Sequence, residues 1–302
     1  MRITGTFLDE ITHDIPSSNW GPDEWAEEFE TMQAAGVDTV ILIRAGCGDQ
    51  MTFDSQTLKA HRHMRPCYID LVDLFLTLAE RHAMAFYFGI YDSRQFWNAG
   101  QPDREIEINL RFTEEVARRY AHRRAFAGWY LTHEINQYDE GHMRLYERLA
   151  RHLKQLKDAP LLMSPYVRGR KQFQNPITPA EHEDHWDRVF GRLRDFVDIV
   201  AFQDGQVDFH ELPTFMEINT RLARKHGLRV WSNVETFERG MPINFLPIDW
   251  RNLRYKMEVA AAAGVEKLIT FEFSHFLSPH SVYPSAHNLF KRYMQWAEGV
   301  SA

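Results

Sequence analysis

The chain is poor in cysteine: only Cys47 and Cys67 occur in 302 residues. Two are too few for a disulfide framework, and their separation fits no zinc-ligand spacing. A reduced compartment is therefore expected. The N-terminus, MRITGTFLDE, lacks the apolar core of a signal peptide. No apolar run approaches the roughly 20 residues that span a bilayer. The expectation is a cytoplasmic protein with no membrane partner. Basic runs are also scarce. The stretch Arg168 to Lys171 is short and isolated, and the formal net charge is −7, so no nucleic-acid partner is expected. Several catalytic signatures are absent. No GxGxxG follows the first apolar run, and there is no P-loop, HEXXH, GXSXG or convincing Cys/His dyad.

What the chain does have is a rhythm. Apolar residues make up 44% and charged residues 25%, the balance of a globular protein with a sizeable core. Eight short β-type runs recur: 3–9, 39–44, 85–92, 126–134, 161–167, 198–205, 229–235 and 267–273. Most are continuously apolar, as parallel strands buried on both faces must be. Between them lie segments of helical periodicity. Trp25, Phe29 and Met32 form one stripe, and Ile108, Phe112, Val116 and Tyr120 another. The stretches 144–156, 186–196, 215–227 and 253–265 have the same character. Gly36, Gly227 and Gly264 each stand between a helical segment and the next strand, where a helix C-cap needs glycine. Eight βα units with no linker predict an α/β fold, a single (β/α)8 TIM barrel over residues 1–302. Two connections are long, 46–65 and 168–185. Both follow strand C-terminal ends, where barrels build their sites.

Polar residues close nearly every strand. They include Glu10, Arg44, Tyr91, His133 and Glu134, Tyr166, Gln203 and Asp204, Asn233 and Glu235, then Glu272 and His275. Charge beside a low-dielectric barrel interior costs desolvation and so points to use. For Asp9, Asp92 and Asp204 a helix N-cap is an equal alternative. Glu134 and Glu235 end the fourth and seventh strands. Two carboxylates across a barrel mouth can serve a glycosidic bond, one as acid and one as nucleophile, about 5 Å apart in a retaining enzyme. For either glutamate an ion pair with Arg44 or another basic side chain is the structural alternative. Aromatic residues, 13% of the chain, supply rings that stack on sugars or fill cores; Trp97, Trp129, Tyr130, Trp231 and Phe237 are the candidates.

The segments GWYLTHE, VWSNVE and ILIR resemble the strand ends of glycoside hydrolase clan A. That resemblance implies Glu134 as acid/base, Glu235 as nucleophile, and Arg44 as support for the nucleophile. More closely, GTFLDE, GWYLTHEIN, IVAFQDG and VWSNVETFE resemble a bacterial barrel family, domain-of-unknown-function family 4434, over nearly the whole chain. His133 stands where the clan has Asn, and Phe271 and Glu272 where it has Trp. The implied activity is hydrolysis of a glycoside or oligosaccharide, with no metal or other cofactor. In this reading Arg44 and Asn233 position nucleophile and substrate. Glu10, Tyr91, Tyr130, His133, Tyr166, Gln203, Asp204, Trp231, Glu272 and His275 contact the sugar. If Glu134 worked with Glu272 at a wider spacing, the outcome would be inversion. Two other classes stay open. A metal-dependent, xylose-isomerase-like barrel could ligate its ion with Glu134, Asp204, Glu272 and His275. A non-catalytic sugar-binding barrel would keep the rings alone.

Overall fold

In a computed structural model, residues 1–12, 15–239 and 245–301 are described. Eight strands form the barrel: β1 (Ile3–Leu8), β2 (Thr39–Leu42), β3 (Ala85–Gly89), β4 (Phe126–Leu131), β5 (Leu161–Met163), β6 (Ile199–Gln203), β7 (Arg229–Asn233) and β8 (Lys267–Thr270). All neighbours run parallel, and the sheet closes because β1 pairs with both β2 and β8. One long helix follows each strand: α1 (Pro22–Ala34), α2 (Leu71–Arg81), α3 (Pro102–Tyr120), α4 (Glu140–Leu156), α5 (Pro179–Leu193), α6 (Leu212–Lys225), α7 (Trp250–Ala262) and α8 (Pro284–Ser301). The expected (β/α)8 barrel is the observed one.

Local chemistry explains the joins. Gly36, Gly227 and Gly264 have φ of 92°, 77° and 81°, the left-handed conformation that lets a helix stop without a Cβ clash. Ser55, Asp70, Asp139, Thr178 and Asp249 cap helix N-termini with side-chain oxygens. Pro179 sits at the first turn of α5, which shortens the expected loop 168–185 from its far end. The loop 46–65 is not structureless. Gly46–Cys47 pairs with Gln50–Met51 and with Tyr91–Asp92, and Gln56–His61 forms a short helix.

Strand alternation sorts the core into two shells. Phe7, Ile41, Tyr87, Tyr130, Leu162, Ala201, Trp231 and Ile269 fill the barrel interior. Trp129, one residue from Tyr130, faces the helices and packs among Phe86, Phe88 and Phe126. Tyr130 and Trp231 are thus filling the barrel rather than facing a ligand, and both are at most 4% exposed. Among the described residues no helix is long and apolar enough to cross a membrane.

Candidate active site

A cleft of about 120 Å³ opens at the C-terminal ends of the strands. Its lining includes Glu134, Glu235, Arg44, Arg94, Gln203, Asn233, Phe237, Arg239 and Phe271. The two glutamates therefore face one volume from β4 and β7. Their settings differ. The Glu235 side chain is 2% exposed, and Arg239 holds both of its oxygens, Nη2 to Oε1 at 3.1 Å and Nε to Oε2 at 3.3 Å. Such a two-point pairing fixes the carboxylate plane as well as its place. The Glu134 side chain is 26% exposed and meets Arg44 Nη2 at 3.4 Å.

Arg44 lines the same cleft. It pairs with Glu134 and, at 3.6 Å, with Asp92, and donates to Thr12 Oγ1. The arginine that pairs with Glu235 is Arg239, in the β7–α7 connection. Burial disfavours the charge on Arg44, but Glu134 and Asp92 outweigh it and drive its pKa upward. Burial likewise opposes the charge on Asp92, yet His133 and Arg44 hold its pKa below the usual carboxylate value.

Gly205 makes room for Glu235. A Cβ there would lie 1.6 Å from Glu235 Oε2 and 2.8 Å from its Cδ. Nothing in the sequence marked this glycine, because the contact joins two loops. Arg239 carried a weak signal, its i,i+4 spacing from Glu235.

The other sequence candidates are placed as follows. Gln203 and Asn233 face the cleft and are hydrogen-bonded to Ser164, Gln203 Nε2 to its carbonyl and Asn233 Nδ2 to its hydroxyl. Asn233 Oδ1 also accepts from the Phe271 N–H, so it ties β7 to the end of β8. Tyr166 stacks on Phe173 and its hydroxyl accepts from Asn136 Nδ2. Tyr91 is buried and its hydroxyl donates to the Gly48 carbonyl; burial pushes that hydroxyl up to about 12. Glu10 accepts from Ser17 Oγ and the Ser18 N–H, shaping the β1–α1 loop. Asp204 is buried against Lys256. His133 turns away from the cleft, its Nε2 bonded to Glu105 on α3 and its ring against Trp97.

Glu272 does not reach the cleft. It is fully buried and caps the short helix Phe273–Phe276, accepting from the N–H groups of Ser274 and His275. His275 Nδ1 pairs with the same carboxylate, while Nε2 meets the Pro16 carbonyl at 2.8 Å and Ser18 Oγ at 3.3 Å. This latch ties the end of β8 to the β1–α1 loop. Burial opposes the imidazolium, but Glu272 dominates and raises its pKa to about 9. The folded state thus holds this proton more tightly than the unfolded chain does. The stabilisation is present at pH 6.5 and is lost as pH rises through 9. The melting temperature should fall between pH 7 and 9.5. In His275→Gln that slope should flatten; an equal slope in both proteins would refute the latch.

Of the four ligands of the metal-dependent alternative only Glu272 and His275 meet, while Asp204 faces Lys256 and Glu134 faces Arg44. Among the described residues one cluster has metal-like spacing: Asp92, Glu105 and His133, all buried. Its carboxylate oxygens already face donors. Glu105 accepts from Ser93 N, Ser93 Oγ and His133; Asp92 accepts from Arg94 N and Trp97 Nε1 and faces Arg44. We read it as a hydrogen-bond network behind Glu134. Dialysis against a chelator should leave the melting temperature unchanged. A drop reversed by a divalent ion would place a cation there.

A (β/α)8 barrel whose mouth holds two arginine-paired glutamates is the class defined so far. The chain belongs to the family described as domain of unknown function DUF4434, whose profile matches residues 3–283. A crystal structure from Bacteroides thetaiotaomicron VPI-5482, a protein provisionally described as an alpha-L-fucosidase, is 42% identical; the match covers 98% of this chain and 93% of that one, with a TM-score of 0.95. The hyperthermostable endo-1,4-beta-D-mannanase of Thermotoga petrophila RKU-1 shares the fold at 12% identity, 98% and 100% coverage and a TM-score of 0.63. A glycoside hydrolase family 5 protein of Bacteroides vulgatus does so at 14% identity, 83% and 55% coverage and a TM-score of 0.56. No curated protein matches the chain.

Proposed function

We propose that the protein is a retaining glycoside hydrolase, with Glu235 as nucleophile and Glu134 as acid/base. The observation that carries this reading is the shared cleft: two strand-end glutamates line it, and each has its own arginine. The nucleophile of a retaining enzyme must be ionised and fixed in orientation. Glu235 is buried and gripped at both oxygens by Arg239, which suits that role. The acid/base must give a proton to the leaving oxygen and take one from water. Glu134 is the more exposed of the two, which gives it access to that water. Arg44, shared between Glu134 and Asp92, can support the carboxylate form between the two steps. Gln203 and Asn233 offer amide groups to sugar hydroxyls, and Phe271 offers a ring.

The 42%-identical relative makes α-L-fucosides the first substrates to try. The test is a panel of aryl glycosides, fucosides first, with the product anomer followed by NMR during the first minutes. Release of a sugar with the starting configuration supports the reading. No hydrolysis across the panel, or a product of opposite configuration, counts against it.

A further inference from the structure

Behind Glu235 the fold buries a lysine. Lys256 on α7 is 2% exposed, and its Nζ lies 2.6 Å from Asp204 Oδ1. The same Nζ donates to the Glu235 backbone carbonyl at 2.6 Å, and Asp204 Oδ1 accepts the Glu235 N–H at 3.0 Å. One buried ion pair therefore holds both polar backbone groups of residue 235.

The place of this pair follows from strand geometry. In extended chain, successive residues point their peptide groups to opposite sides. Val234 N and Thr236 N bond to Ile269 and Phe271 carbonyls on the β8 side. Glu235 therefore points its N–H and carbonyl toward β6, whose last paired rung is Gln203 with Asn233. Beyond that rung there is no strand, and Asp204 and Lys256 take its place. An apolar pair would serve packing as well or better, because two desolvated charges repay their cost poorly. The charge is thus better explained by what it holds than by stability.

We infer that Asp204 and Lys256 are positioning residues, which fix the backbone of residue 235 so that its carboxylate meets the reacting carbon. The inference rests on Glu235 being the nucleophile. Coupling is visible in Asp204 itself. Its carboxyl is raised to about 6 because burial, reinforced by Glu235, outweighs the pull of Lys256.

The test uses the full-length protein and the aryl glycoside it turns over best. Lys256→Met combined with Asp204→Asn removes both charges together, so no unpaired charge stays buried. Turnover should fall by about a hundredfold, the cost of a misplacement near 1 Å, with KM within about twofold of the parent. Asp204→Asn alone keeps an acceptor for the Glu235 N–H and should lose less. Lys256→Arg, which can reach both oxygens, should recover part of the turnover. Wild-type turnover in a folded double variant, or in Asp204→Asn if the double variant does not fold, would overturn the inference while leaving the nucleophile in place. If Glu235→Gln itself keeps wild-type turnover, the reading of Glu235 fails first, and the inference with it.

Discussion

Glu235→Gln should lower kcat by about 10⁴- to 10⁶-fold, the range seen when a nucleophile or its direct partner is removed from a hydrolase. The amide keeps the side chain's shape but cannot attack the anomeric carbon. Arg239 loses its anionic partner, yet it also contacts Gln172, and its side chain retains some exposure to water. Melting should therefore stay within a few degrees of wild type. The paired variant Glu134→Gln should behave differently. General acid catalysis contributes about 10²- to 10⁴-fold, and least where the leaving group departs without a proton. Its loss should be large on an alkyl glycoside and small on a nitrophenyl glycoside in the first, glycosylation step. Similar losses on both substrates would contradict the assignment of Glu134.

Gly205→Ala should be the most damaging change at a residue that does no chemistry. Gly205 has no left-handed backbone conformation among the described glycines of that kind, so alanine is not strained there. The obstacle is purely steric. The new methyl would fall on Glu235 Oε2 and lie 3.1 Å from Arg239 Nε. A carboxylate at the end of a rotatable chain can move aside at little cost to folding. It cannot do so and keep both contacts to Arg239. Turnover should drop by about a hundredfold or more, as for other ångström-scale misplacements, with an almost unchanged melting temperature. A full-rate Gly205→Ala enzyme would show that Glu235 works from a different rotamer.

The fold was legible because its signals are local. Apolar runs, amphipathic stripes and the glycines at 36, 227 and 264 each follow from one short segment, and eight repetitions leave little freedom in how they assemble. The two facing glutamates were legible for a related reason: a polar residue just past a barrel strand sits near the mouth. Position alone does not say where the side chain turns. Glu272 and His275 follow β8 as Glu235 follows β7, yet they close on each other beneath the β1–α1 loop. Tyr130 and Trp231 lie on inward faces but below the mouth, so they fill the barrel. His133 turns outward to Glu105. Arg44 was legible as a site residue, but its strand-end position left open which carboxylates it meets, here Glu134 and Asp92. Gly205, Arg239 and Lys256 gain their roles from contacts across separate loops and α7, and one chain read in order does not display these.

The central claim is that Glu235 makes a covalent bond to the sugar. The direct measurement uses a 2-deoxy-2-fluoro aryl glycoside of whichever sugar the protein hydrolyses, which slows breakdown of a glycosyl-enzyme intermediate. Proteolysis and mass spectrometry then locate the added mass. The account predicts a single label on Glu235, absent in Glu235→Gln. A label on Glu134 or any other residue would contradict it.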